Sequence, residues 1–418
     1  MSSPAAVTNT SPGLFRWTDS SAAQRNTLVA AFLGWMLNAF DVMLYSVMVT
    51  RLMSVFGMDQ ATAGLLNALT LIASALGTLI FGLLADRWGR RRMLNYSILT
   101  YSVFTFACGL VHSVALLGLL RFLVGLGMGG EWNCGAALVA EAWPTRWRGR
   151  AMGIVLGGWA VGYALAATVS GLILAFAGWR WVFFVGLLPA LLTTWVRRKV
   201  PEPALWERSR TQPVSSPEQK ALWRAARPSL LALLTMNTFG MFAWWGLFSW
   251  IPAYLALPAS QGGRNFQIVG VATLLIVLNL AGMLPGYLSF GVFADHFGRK
   301  RSVIFYLGAA ALLVPFFAAA RLPVAILAAG CITAFFGTGF FAGSGTLGNE
   351  LFPTPIRATA LGLSYNLARG IGALAPWVVG RLGETRGLSW AFLACGIAYA
   401  AAAFSGLWVP ETQGMELS

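Results

Sequence analysis

Four charged residues sit in stretches that are otherwise almost wholly apolar: Asp41 in FLGWMLNAFDVML, Arg121 in ALLGLLRFLVGLG, Glu131 in GLGMGGEWNCG and Arg369 in LSYNLARGIGALAP. A carboxyl group in such surroundings takes up or releases a proton according to burial and the cations beside it. An arginine there stays charged and presents a planar fork that matches a carboxylate through two parallel hydrogen bonds. The expected chemistry is therefore the movement of protons and anions. Catalysis has little material: His112 and His296 are the only histidines, and no nucleophile-base pair, metal-ligand cluster or phosphate-binding glycine loop stands out. No cofactor and no metal are expected. Cys108, Cys134, Cys331 and Cys395 lie in apolar runs without paired spacing and read as packing residues.

The elements that must hold these charges follow from composition. Of 418 residues, 57% are hydrophobic and only 10% charged. Soluble domains carry about 25% charged residues, so a soluble enzyme, a disordered chain and a nucleic-acid-binding protein are all excluded despite a net charge of +15. A bilayer is the natural solvent. Spanning it takes about 20 apolar residues, and cutting at charge clusters and Gly/Pro turns predicts twelve helices near 26–50, 60–84, 93–112, 114–141, 150–177, 179–198, 228–256, 267–293, 302–320, 322–349, 357–382 and 387–408. The N-terminal stretch has no secretory signal pattern, so the first span is expected to be retained.

Basic residues orient the spans. With both termini inside, 21 of the 29 Lys and Arg fall on the inner side and six outside (Arg51, Arg180, Arg264, Arg321, Arg381, Arg386), leaving Arg121 and Arg369 within spans. Both termini are thus expected in the cytoplasm of a bacterial inner membrane, and the basic loops face anionic lipid. The polar stretch 201–227 reads as a cytoplasmic linker between six-helix bundles at 1–200 and 228–418.

Those halves are duplicates. GLLADRWGRRR from Gly82 and GVFADHFGRKR from Gly291 are offset by 209, as are EAWPTRWRGRAMG from Glu141 and ELFPTPIRATALG from Glu350. Trp35 and Trp244, Tyr45 and Tyr254, Gly178 and Gly387, and Pro201-Glu202 and Pro410-Glu411 keep the same register. Such parallel repeats build transporters with the substrate site between them at mid-membrane. The four buried charges escape the duplication: Asp41 corresponds to Trp250, Arg121 to Gly330, Glu131 to Phe340 and Arg369 to Ala160.

The twelve spans, the G-x-L-A-D-x-x-G-R-x-R loop with its repeat, and the glycine run after Arg121 resemble the major facilitator superfamily. More narrowly, FLGWMLNAFDVML, RFLVGLGMGGEWNCGAALVAEAWP, GWRWVFFVGLLPA and GLSYNLARGIGALAP resemble its proton symporters for sialic acid, aromatic acids and other organic acids. The resemblance implies an all-α membrane protein with two pseudo-symmetric six-helix bundles. It also implies that Asp86 with Arg90, and Asp295 with Arg299, latch the cytoplasmic side. Glu141 with Arg148, and Glu350 with Arg357, repeat an acid-base arrangement across the next loop and complete that gate.

Depth along the spans brings Asp41 and Arg121 level, at roughly 13 and 10 Å below the outer face at 1.5 Å per residue. Two roles fit the pair: a proton site on Asp41 controlled by Arg121, or an ion pair that fixes helix packing. Glu131 is the rival proton carrier or a relay. Arg369, near the midplane, suits a substrate carboxylate, and also suits Glu131 or a backbone carbonyl. Asn38 and Tyr45 share a helical face with Asp41, Tyr365 and Asn366 lie one turn before Arg369, and Trp244 is among several aromatic candidates for the cavity wall. The expected function is import of a small organic anion with protons by a monomer; export or anion exchange by the same fold is the alternative.

Overall fold

The computed structural model describes residues 20–143, 145–200 and 216–413. Its helices are α1 (Ala22–Phe56), α2 (Gln60–Trp88), α3 (Arg90–Cys108), α4 (Val114–Ala142), α5 (Thr145–Phe176), α6 (Trp179–Val185), α7 (Pro189–Lys199), α8 (Ser216–Ala256), α9 (Ile268–Val277), α10 (Leu284–Phe297), α11 (Arg299–Ala319), α12 (Pro323–Leu351), α13 (Thr354–Gly372), α14 (Ala375–Arg386) and α15 (Leu388–Gly406). All twelve expected crossing segments are helical, three of them in two pieces. The sixth divides into α6 and α7 before Pro189, and the eleventh into α13 and α14 before Pro376, because proline starts a helix readily and interrupts one from within. The eighth passes through a π-helical turn at Leu278–Met283 just before Pro285.

Among the described residues, ten helical segments have the length and apolarity to cross a bilayer. The third, which opens with three arginines, and the broken eleventh fall short of that length and apolarity. Two boundaries differ from expectation. The first helix runs from a capping box at Ser21 and Gln24 to Gly57, whose left-handed backbone (φ 63°) closes it, so Arg51 lies in its last turns. The eighth helix begins at Ser216, so the second part of the stretch expected as a linker continues directly into the seventh span; residues 201–215 lie outside the described residues.

The duplication is visible in backbone angles. Gly89 (φ 106°, ψ 147°) and Gly298 (φ 94°, ψ 152°) turn the chain at the same place in each half, between α2 and α3 and between α10 and α11. A side chain at either would be strained. Helices α1 to α5 pack together, as do α8 and α11 to α15. The halves meet along α2 with α13 and α14, α5 with α9 and α10, and α1 with α8. At the end opposite the basic loops, α2 and α14 approach so closely that a Cβ on Gly64 would lie 2.3 Å from the Pro376 carbonyl oxygen, and one on Gly380 2.4 Å from that of Gln60. Glu384 accepts a hydrogen bond from the Ala61 N–H across this seam (2.7 Å), which satisfies one of the free donors at the start of α2. A crevice of about 440 Å³ remains between the halves at this end, lined by Arg51, Trp179, Ala256 and Ile268 among others.

Candidate functional site

The four asymmetric charges are all buried, with fractional exposures of 0% for Asp41 and Arg121, 1% for Glu131 and 2% for Arg369. They divide into two groups. The first lies inside one half. Thr105 Oγ1 on α3 donates to Asp41 Oδ2 (3.2 Å), and Arg121 on α4 lies over the Tyr45 ring, 5.0 Å from its centroid. Asp41 Oδ1 and all three guanidinium nitrogens of Arg121 lack a hydrogen-bond partner. Asp41 and Arg121 are therefore neighbours without the direct ion pair that their depth suggests. Tyr45 belongs to this group and not to the surroundings of Arg369, since its hydroxyl donates to the Ala63 carbonyl (2.8 Å).

Close helix packing makes this enclosure. A Cβ on Gly125 would lie 2.1 Å from the Thr70 carbonyl oxygen, and one on Gly129 2.1 Å from that of Ser74. The small-residue spacing of α4 thus draws α2 against it, while α3 and α1 close the other sides.

The second group spans both halves. Asn38 Nδ2 on α1 donates to Glu131 Oε2 on α4 (3.0 Å) and to the Met128 carbonyl (3.2 Å). Arg369 occupies the last turn of α13, at the break before Pro376, where the carbonyl end of a helix favours a cation. Its three guanidinium nitrogens have no hydrogen-bond partner either, so neither Glu131 nor a backbone carbonyl pairs with it directly. Asn366 donates to the Gly362 carbonyl (2.9 Å), leaving its buried Oδ1 without a partner. Tyr365 stacks on Trp132 of the other half, with centroids 6.3 Å apart.

A cluster of aromatic rings adjoins this second group through Trp132 and Tyr365. Trp35 lies 4.3 Å from Trp132 and 4.8 Å from Trp159, and Trp159 stands edge-on to Trp244 and Trp245 at 5.7 and 5.6 Å. Trp244 spends its indole N–H on Thr338 Oγ1 (3.1 Å), and Trp250 donates to the Pro376 carbonyl (2.8 Å), bracing the break after Arg369. Phe340 packs on Phe341, whereas Phe336 packs on Phe305 and Tyr306, away from the indoles. Trp159 was not singled out by sequence, and Trp35 only as the repeat counterpart of Trp244. The one available signal was that Trp159 adjoins the position, Ala160, that corresponds to Arg369.

At the basic end of the second half, Arg299 pairs with Asp295 and also reaches Glu350 (3.4 Å). Glu411 joins them, accepting from the backbone N–H groups of Arg299 (2.9 Å), Thr412 (3.0 Å) and Gln413 (3.1 Å) at the start of α11. Partial burial raises the Glu411 pKa, and the backbone donors outweigh it, holding this carboxyl below the ordinary glutamate range. Arg357 donates to the Phe352 carbonyl (2.9 Å). In the first half, Arg90 is half-buried at the start of α3, and the side chains of Asp86, Glu141 and Arg148 lie outside the described residues.

No group of three or more metal-binding side chains occurs among the described residues. None of the four cysteines is in a disulfide.

Three comparisons bear on this arrangement. The sequence profile of the Major Facilitator Superfamily matches residues 31–262 and 256–416. A probable 4-methylmuconolactone transporter of Cupriavidus pinatubonensis is 32% identical over 413 residues, 97% of this chain and 95% of that protein. A cis,cis-muconate transport protein of Acinetobacter baylyi is 32% identical over 377 residues, 88% of this chain and 90% of that protein. Among solved structures, the xylose transporter XylE from E. coli in a partially occluded inward-open conformation superposes with a TM-score of 0.77, covering 95% of this chain and 100% of that one at 19% identity.

Proposed function

Since the chain belongs to the major facilitator superfamily, and is thus a multi-pass membrane transporter and not an enzyme, we propose that it imports a small organic anion together with protons by alternating access. The observation that carries this reading is Arg369, a cation fully buried where the two halves meet, with every guanidinium donor uncommitted. Leaving such a group without an acceptor is costly in a low dielectric. A substrate carboxylate offers two oxygens to that fork. The names of the muconate and 4-methylmuconolactone relatives point toward organic acids.

In this reading Arg369 anchors the carboxylate, Tyr365 and Asn366 flank it one turn earlier, and Trp244 helps wall the cavity. Glu131, held by Asn38, faces the same space, so that its protonation state is felt by the bound anion. Asp41 takes the coupled proton in the enclosed pocket of the first half. There Arg121 favours its ionised form and burial favours its neutral form, so a small shift of the guanidinium changes proton affinity. The bundles 1–200 and 228–418 rock about the central site. Arg299, Asp295, Glu350 and Arg357, with Asp86, Arg90, Glu141 and Arg148, close the basic end, which faces the cytoplasm of a bacterial inner membrane. The monomer is the working unit.

Uptake of labelled benzoate and cis,cis-muconate into proteoliposomes tests the reading. An inward proton gradient is expected to drive accumulation above equilibrium, and a protonophore to abolish it. Exchange of internal for external acid that ignores the gradient is the signature of an anion exchanger and overturns symport; gradient-driven efflux indicates an exporter.

A further inference from the structure

The aromatic cluster that reaches the helix of Arg369 through Trp132 and Tyr365 contains two hydrogen-bond donors that the fold leaves unused. The indole N–H groups of Trp35 and Trp159 are buried and find no acceptor among the described residues. Indole nitrogen donates only, and a buried indole N–H ordinarily finds a partner. Both rings belong to the cluster between the halves: they lie 4.8 Å apart, and Trp159 also touches Trp244 and Trp245 of the second half.

The internal duplication supplies a control. Trp244 is the counterpart of Trp35 at the 209-residue offset, and its N–H is satisfied by Thr338 Oγ1. The residue corresponding to Thr338 is Gly129, which has no side chain to accept a hydrogen bond. The first half thus keeps the donor and lacks its acceptor. Trp159 corresponds to Ala368, next to Arg369, whose own counterpart is Ala160. Each half therefore places one unmatched donor side chain at adjacent equivalent positions, an indole in α5 and a guanidinium in α13.

We infer that Trp35 and Trp159 form a donor-only subsite, so that the favoured substrates are flat acids bearing, beyond the carboxylate held by Arg369, a second oxygen acceptor such as a carbonyl. Flatness follows from the cluster of Trp35, Trp132, Trp159, Trp244 and Trp245 rings, which favour offset or edge contacts with a planar conjugated skeleton. A second acceptor follows from the two indole donors. The inference rests on the proposed organic-anion site and deepens it.

Its test compares ligands of equal shape in the purified full-length protein: 3- and 4-acetylbenzoate against 3- and 4-isopropenylbenzoate, which replace the carbonyl oxygen by a methylene. Wild type is expected to bind at least one acetyl isomer about tenfold or more tightly than its isopropenyl twin, the scale of one buried hydrogen bond. Trp35→Phe and Trp159→Phe are expected to bring that ratio toward one by weakening the acetyl acids more than the isopropenyl acids. Replacing either indole by benzothienylalanine keeps the ring and removes only the N–H, and the same collapse is expected. A ratio near one in wild type, or a ratio that survives all these replacements, overturns the subsite and leaves the organic-anion reading standing. If wild type binds cis,cis-muconate but none of the four acids, the subsite falls and the organic-anion reading stands.

Discussion

Arg121 and Arg369 have the same charge, the same burial and the same lack of hydrogen-bond partners, yet they stand in different kinds of place. Arg121 is enclosed by α1, α3 and α4 of one half, with Asp41, Thr105 and Tyr45 as its neighbours. Arg369 ends a half-helix at the seam, with Tyr365 beside it and Trp132 of the other half stacked on that tyrosine. In the proposed rocking motion helices within a bundle move together, so the neighbours of Arg121 stay with it, whereas those of Arg369 change. A residue of the first kind suits a proton switch, and one of the second suits a cargo that must be released on either side. Position relative to the moving seam, and not burial or charge, separates the two roles.

The largest effect is expected from removing the carboxyl on the enclosed side. Asp41→Asn should lower gradient-driven accumulation about a hundredfold or more while sparing acid exchange; accumulation that persists unchanged assigns the proton to Glu131 instead. A second variant acts on the seam. Gly380→Leu places a side chain where even a Cβ lies 2.4 Å from the Gln60 carbonyl oxygen, so the halves must part at that end. Alkylation from that side of a cysteine placed at Asn366 should then accelerate about tenfold, a shift of ~1.4 kcal/mol, while Cys108 beside Arg121 stays protected. Equal acceleration at both positions erases the distinction between them.

Smaller effects concern stability. Because its nitrogens have no partner, Arg121→Met is expected to stabilise the unliganded protein by about 1–2 kcal/mol, since replacing a poorly compensated buried charge by an apolar side chain is often favourable. Arg369→Met should do the same, but only that variant should also lose stabilisation by added acid; thermal unfolding with and without benzoate separates them. The smallest effect lies far from both arginines. Glu411 has a folded-state pKa below the unfolded value, so its contribution is present above the ordinary glutamate pKa of about 4.3 and fades as pH falls through the folded value. Glu411→Gln should cost at most ~1 kcal/mol near neutrality, discounted for solvent screening, and nothing at the acid end. A loss that grows on acidification contradicts that sign.

Much of this was legible in the sequence, for physical reasons. Charge is so expensive in hydrocarbon that the four buried residues announce themselves by scarcity, and Gly89 and Gly298 mark the repeat because few other residues tolerate their backbone angles. Helix breaks were harder to see. Hydropathy continues unchanged through Gly186 to Leu188 and through Ala373 to Leu374, and only the prolines that follow hint at a restart. Helical periodicity placed Tyr45 on one face with Asp41 and Asn38, but it does not say which neighbouring helix that face meets. Tyr45 turned out to serve Arg121, and Asn38 to serve Glu131. Trp35 and Trp159 were invisible as donors, since an indole in a membrane helix is more often interfacial, and whether its N–H is spent depends on a residue as remote as Thr338 or Gly129.

The central claim is that the buried arginine at the seam, and not the one inside the first half, holds the substrate anion. Equilibrium binding of benzoate and cis,cis-muconate to the purified wild type, Arg369→Ala and Arg121→Ala tests it most directly. Arg369→Ala is expected to weaken binding by about tenfold to a hundredfold, the scale of a charge-assisted hydrogen-bonded pair, with Arg121→Ala within about threefold of wild type. Unchanged affinity in Arg369→Ala, or the larger loss in Arg121→Ala, would contradict it.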